Sequence, residues 1–282
     1  MEIREFAERV FFADTLEEKL LSPEGGIQSL KDHNPGEEVP WSQPSRPTHL
    51  RIAPPKKRKR FPSPNGLHRP DLRIRCLHAF ANHELMALEM MAWALLKFPN
   101  APKAFRLGLA QILIEEQEHF QWYNNRIEEI GAKFGDCPLN DHFWRTADSL
   151  TDPLKWVCAM HLTFEQANLD HAPRFQQAFE EVEDLPSAKI MNAIYLDEIK
   201  HVRFGSNWLK HFTPEEATYY ETYLDNLTYY NTPLRAKGDL FNEEGRRAAN
   251  LDEEFIRNIQ HYSEEDFKRD RTIFEKKRNL IK

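Results

Sequence analysis

The sequence predicts an all-α protein built around a four-helix bundle, and three observations carry that expectation. Four long stretches, about 70–98, 103–131, 153–181 and 186–211, repeat their apolar residues at spacings of three and four. Breakers sit at their boundaries: FPNAP after the first, GAKFGDCPLN after the second, and Pro186 near the start of the fourth. No stretch alternates polar and apolar residues as a half-buried strand would. Short connections between such helices make sequential neighbours antiparallel.

Taken in order, residues 2–21 read as one amphipathic helix, closed by Leu20 and Leu21 before the turn-rich SPEGG. From there to about Leu67 the text is Pro-rich and aperiodic, an extended arm that either lies on the domain or is partly mobile. Residues 1–69 are therefore expected to form an N-terminal helix and basic arm, 70–212 the bundle, and 213–282 a C-terminal helical extension. The extension should hold two or three shorter helices, about 214–230, 242–260 and 264–279. Pro173 falls inside the third long pattern and should kink or end the helix there.

The chain has 282 residues and 40% apolar content, enough for a sizeable core. Its net charge of −7 is uneven, because nine Lys/Arg and one acid lie between Arg51 and Arg75. Three cysteines without a CxxC pattern suit free thiols in a reducing compartment. The N-terminus has no apolar core of a signal peptide, and no apolar run approaches the length of a membrane span. The expected location is cytoplasmic, with no membrane partner.

Two acids and two imidazoles stand where apolar residues should be. In YLDEIKHVRF, Glu198 and His201 share a stripe with Met191, Ile194 and Val202. In ILIEEQEHFQWY, Glu116 and His119 share one with Leu109, Ile112, Leu113 and Phe120. A spacing of three puts each Glu and His on one helix face. One Glu-x-x-His is expected by chance in this composition, but each of these has an upstream partner. Glu84 precedes Glu116 by 32 residues, and Glu165 precedes Glu198 by 33, both on apolar stripes. ELMALE and EQANLD share E-x-x-x-L-acid, and EEQEH and DEIKH share acid-E-x-x-H. The chain thus reads as two copies of one helix pair. Counting residues to the FPNAP turn brings Glu84 and Glu116 to the same height, and favours Glu84 over Glu89. The second pair is less regular, because its arm from Glu165 to the turn is longer. Four carboxylates and two neutral imidazoles on core faces call for two divalent cations, with oxygen and nitrogen donors suited to iron or manganese. Glu84, Glu116, His119, Glu165, Glu198 and His201 are the candidate metal ligands.

These four motifs resemble the ferritin-like di-iron carboxylate superfamily, which includes ferritins, rubrerythrins and the ribonucleotide reductase small subunit. AFANHELMALEMMAWALLKFP, LTFEQANLDHAPRF, DEIKHVRFG and LRAKGDLFNEEGRRAA look like a bacterial branch of it, a domain of unknown function. The branch is distantly similar to the tRNA isopentenyladenosine hydroxylase. The resemblance implies a ferritin-like four-helix bundle with two Fe ions (or Mn, or a mixed Fe/Mn pair). It also implies an oxidoreductase that uses O2 and an electron donor to hydroxylate or otherwise oxidise an organic substrate, with a modified tRNA base as one candidate. A homodimer is compatible with it. The rival expectations are a ferroxidase or peroxide-scavenging iron handler and a non-catalytic scaffold or RNA-binding module.

Further residues have two readings each. Tyr123, Tyr195 and His171 are candidate catalytic groups near the metals, or core aromatics and a structural hydrogen bond. Cys158 and His161 either line the pocket or pack. Glu115 and Asp197 either support the ligand histidines or pair with Lys and Arg. Lys56, Lys57, Arg58, Lys59 and Arg60 either bind tRNA phosphates or form a solvated linker.

Overall fold

A computed structural model describes residues 1–40, 43–54, 57, 60–228 and 230–270, and among these the regular structure is helical, without a named strand. The helices are α1 (Ile3–Phe12), α2 (Leu16–Lys19), α3 (Pro70–Lys97), α4 (Lys103–Glu129), α5 (Pro153–Ala159), α6 (Gln166–Glu180), α7 (Leu185–Phe212), α8 (Tyr219–Asn226), α9 (Glu243–Ala248) and α10 (Glu253–His261). Residues 264–270 are also helical. A π turn over Met160–Glu165 joins α5 to α6 without a break. None of these helices is long and apolar enough to cross a membrane. The chain divides into two compact units, one of residues 1–144 with 181–190, the other of 145–180 with the described residues from 191 on.

In the first unit α3 and α4 form an antiparallel pair. Pro70 starts α3 at a position where its missing N–H costs nothing. At the far end, the buried Arg106 of α4 donates to the carbonyls of Leu95 (2.7 Å) and Phe98 (3.1 Å). From Cys76 to Leu96 nearly every residue of α3 is buried, so the helix is enclosed on all sides. The N-terminal segment supplies the extra cover. α1 buries Ile3, Phe6, Ala7, Val10 and Phe11.

The described part of the Pro-rich arm lies on this unit. Asp32 takes the Nε of Arg106 at 3.0 Å, Val39 N donates to Leu96 O at 3.1 Å, and Ala53 N donates to Leu139 O at 3.0 Å. Glu89 is fully buried and ties three segments together. It accepts from Arg46 of the arm (2.5 Å) and meets Lys19 of α2 (3.4 Å) and Trp144 Nε1 (3.4 Å). Burial pushes the Lys19 ammonium below its usual pKa, and Glu89 opposes that shift.

The single helix expected over 2–21 is two helices. Ala13 is extended, and the Thr15 side chain caps α2 by accepting from Glu18 N at 3.2 Å. A threonine oxygen that satisfies an amide outside the helix competes with helix continuation.

His78 closes the loop after α4. Its Nε2 accepts from Gly135 N (2.8 Å) and Cys137 N (3.2 Å), so the atom that would take a proton already faces two donors. Burial lowers its pKa from 6.5 to about 4, with Asp136 acting in the other direction. The unfolded imidazole therefore gains a proton at a higher pH than the folded one. Stability is full above pH 6.5 and falls as pH drops toward about 4, by roughly 3 kcal/mol across the window. An NMR titration should place the His78 midpoint near 4; a midpoint at the ordinary histidine value would remove the effect.

In the second unit the long helix of residues 153–180 runs through Pro173 and ends seven residues later, so of the two expected outcomes, a kink or an end, the helix does not end there. Proline deprives the carbonyl four residues earlier of its partner. That carbonyl belongs to Leu169, and the Asn242 side chain donates to it at 3.1 Å. Helix α7 (from residue 191 on) runs antiparallel to this helix: Asn168 meets Glu198, and seven residues back His161 faces Gly205, seven residues on. The C-terminal segment docks on α7 through its carbonyls. Ser206 Oγ and Lys210 Nζ donate to Asn250 O at 2.7 and 2.6 Å, and Arg203 donates to Ala248 O. Asn250, with φ of 62°, ends α9 in the left-handed region, which asparagine tolerates. The expected helix over 242–260 is thereby split into α9 and α10.

Candidate metal centre

In the first unit, Glu84 projects from α3 and Glu116 and His119 from α4. All three are buried, and one ligand atom from each lies within 4.8 Å of the others. The antiparallel register explains the meeting, since Glu84 and Glu116 are nearly equidistant from the 98–102 turn. His119 Nδ1 is 3.4 Å from Glu116 Oε2, and its ring tilts against Trp122 with centroids 5.2 Å apart. One turn beyond His119, Tyr123 is fully buried and stacks on Phe80 at 5.5 Å. The structure thus brings together the three first-copy residues expected from the spacing.

In the second unit, Glu165 closes the π turn, and Glu198 and His201 lie on α7; all three are buried. Glu198 Oε2 and His201 Nδ1 are 3.8 Å apart. Two further groups hold these carboxylates. Asn168 Nδ2 donates to Glu198 Oε1 at 2.7 Å. Glu165 Oε2 meets His161 Nδ1 at 2.5 Å, while Glu165 Oε1 is buried with no hydrogen-bond partner among the described residues. Trp156 Nε1 donates to His161 Nε2 at 3.3 Å. Asn168 and Trp156 do not appear among the residues the sequence singles out. Asn168 falls three residues after Glu165, where the first copy has Ala87, so comparing the copies position by position would have found it.

The remaining candidates are placed as follows. Tyr195 is half-buried, and its hydroxyl accepts from Asn242 Nδ2 at 3.0 Å. His171 is exposed on α6, and its ring packs so close to Gly238 that a Cβ there would lie 3.0 Å from it. Glu115 accepts from Gln111 Nε2 at 2.8 Å, and Asp197 pairs with Lys200 at 2.6 Å. Cys158 is buried, and its carbonyl accepts from Thr163 Oγ1 at 2.7 Å. In the basic segment Lys57 and Arg60 are exposed; Lys56, Arg58 and Lys59 lie outside the described residues.

The family described as "Protein of unknown function (DUF455)" matches residues 4–257. The chain belongs to that family. A relative from Haemophilus influenzae, described as an uncharacterized protein, is 28% identical over 140 residues, which are 47% of this chain and 49% of the relative. The chain thus spans about half the length of the curated relative it matches. No solved structure matches the chain.

Proposed function

We propose that the protein is a ferritin-like, two-iron oxidoreductase that uses O2 to hydroxylate or otherwise oxidise an organic substrate. Glu84, Glu116, His119, Glu165, Glu198 and His201 would hold the two ions, with manganese as an alternative metal. The observation that carries this reading is the meeting of Glu84, Glu116 and His119 inside the first unit, with ligand atoms within 4.8 Å. Two carboxylates and an imidazole so close together are costly in an apolar interior unless protons or a cation balance them. A divalent ion with oxygen and nitrogen ligands fits that donor set. The buried Glu165 Oε1, which has no hydrogen-bond partner among the described residues, fits it again. Iron bound there would supply the redox chemistry by which O2 is activated. The chain's own part is to orient the carboxylates, exclude water and keep the imidazoles in one tautomer.

Elemental analysis of anaerobically purified protein after Fe(II) loading, followed by optical spectra on admitting O2, tests the proposal. About two ions per chain and a new absorption band are expected. Fewer than about one ion per chain with no spectral change would sink it. Repeated Fe(II) turnover with no substrate dependence would instead favour an iron-handling ferroxidase. A modified tRNA base is the candidate substrate that the resemblance implies, and unchanged nucleoside profiles in a deletion strain would remove it.

A further inference from the structure

Among the differences between the two copies of the helix pair, one pair of positions falls beside a proposed ligand. In the first copy, Phe80 lies four residues before Glu84 and stacks on Tyr123, four residues after His119. The corresponding positions of the second copy, four before Glu165 and four after His201, are His161 and Gly205. A Cβ on Gly205 would lie 2.5 Å from His161 Cβ, so the glycine is what lets the helix carrying His161 approach this closely. An aromatic stack in one copy is thus replaced by a hydrogen-bonding ring against a glycine.

The orientation of that ring follows from its neighbours. Indole Nε1–H can only donate, so His161 Nε2 must accept from Trp156, which leaves the His161 proton on Nδ1. Nδ1–H then donates to Glu165 Oε2 at 2.5 Å and turns Oε1 into the oxygen left open. Thr163 holds the π turn that carries both residues, through Cys158 O (2.7 Å) and the Tyr223 hydroxyl (2.9 Å). Asn168 does a similar service for Glu198, where the first copy has Ala87. Both carboxylates of the second copy are therefore fixed by neutral donors at positions where the first copy has Phe80 and Ala87.

We infer that His161 is a positioning residue for Glu165, and that it tightens metal binding by the ligand set to which Glu165 belongs. The inference rests on the metal-binding reading above. Partners that orient a ligating carboxylate reduce the ordering that must accompany binding, and their loss typically costs about 10–100-fold in metal affinity.

The test is an anaerobic Co(II) titration of the metal-free full-length protein, followed by visible absorption, with circular dichroism as the check on folding. Wild type should bind Co(II), and His201→Ala should remove the phase due to the second ligand set. His161→Phe, which installs the first copy's residue, should weaken that phase about 10–100-fold and shift its spectrum. His161→Asn, whose Nδ2 donor lies where imidazole Nδ1 lies, should recover most of the affinity. That phase unchanged in His161→Phe, or an Asn variant no better than Phe, overturns the role of His161. Should His161→Phe lose helical signal, Trp156→Phe repeats the test by removing the donor that sets the tautomer, and unchanged affinity there overturns it equally. If wild type binds no Co(II) at all, the metal reading itself fails, which is a separate outcome.

Discussion

Asp170→Ala is expected to destabilise the second unit by about 3–5 kcal/mol, because it leaves a guanidinium charge buried without its counter-ion. Asp170 and Arg246 are both buried and meet through two bonds, Nη1 to Oδ1 at 2.6 Å and Nη2 to Oδ2 at 2.9 Å. The carboxylate also accepts from Gly238 N (2.8 Å) and Asn242 N (2.7 Å). Arg246 in turn donates to Ala236 O and Asn242 O and lies 3.8 Å from the centre of the Phe241 ring. Truncating the acid therefore strands a cation and two backbone amides together, and orphaned amides add to the cost.

Urea unfolding monitored by circular dichroism should show the loss as a lower midpoint with an unchanged slope. The double variant Asp170→Leu with Arg246→Met removes both charges and should recover part of the loss. Recovery stays partial because Gly238 N and Asn242 N still lack an acceptor. A single variant within 1 kcal/mol of wild type, about the scale of an exposed pair, would show that this pair is not what anchors residues 236–246 to α6.

The same segment shows where the sequence stops being legible. The four long helices are readable to within a residue or two, because Pro70 and Pro153 start two of them and the apolar spacing spans each length. The continuation through Pro173 is not readable, since the group that replaces the missing hydrogen bond, Asn242, lies 69 residues downstream. The break after Phe12 depends on a threonine cap whose alternative, a mid-helix threonine, is also common. The enclosure of α3 on all sides was legible only as its high apolar content, because the cover comes from α1 and an aperiodic arm.

The candidate ligands were legible for a different reason: buried acids repeated at matched spacings in two copies stand out against an apolar stripe. Their partners were not. His161 could be seen on the stripe one turn before Glu165, but the close approach of Gly205 across the helix pair could not. Asn168 is an ordinary residue until tertiary contact gives it a carboxylate to bind, and Trp156 meets His161 five residues on, a spacing that an α-helix does not favour.

Glu116→Gln should abolish most of the metal-induced stabilisation of the protein while leaving the metal-free form as stable as wild type or more so. In the absence of a cation, Glu84 and Glu116 bring two carboxyl groups together beside His119 in a buried site. Removing one carboxylate without changing its shape relieves that cost, and the amide keeps the hydrogen-bonding capacity of the position. In the presence of metal the balance reverses, because a ligand that binds only the folded state adds about 2.7 kcal/mol at a concentration 100 times its dissociation constant. Wild type should therefore rise in midpoint on anaerobic addition of Mn(II), and Glu116→Gln should rise little. Equal gains in the two proteins would show that Mn(II) binds elsewhere. A metal-free Glu116→Gln protein several kcal/mol weaker than wild type would mean that Glu116 serves the fold, since a residue kept for a cation should cost the empty protein stability rather than supply it.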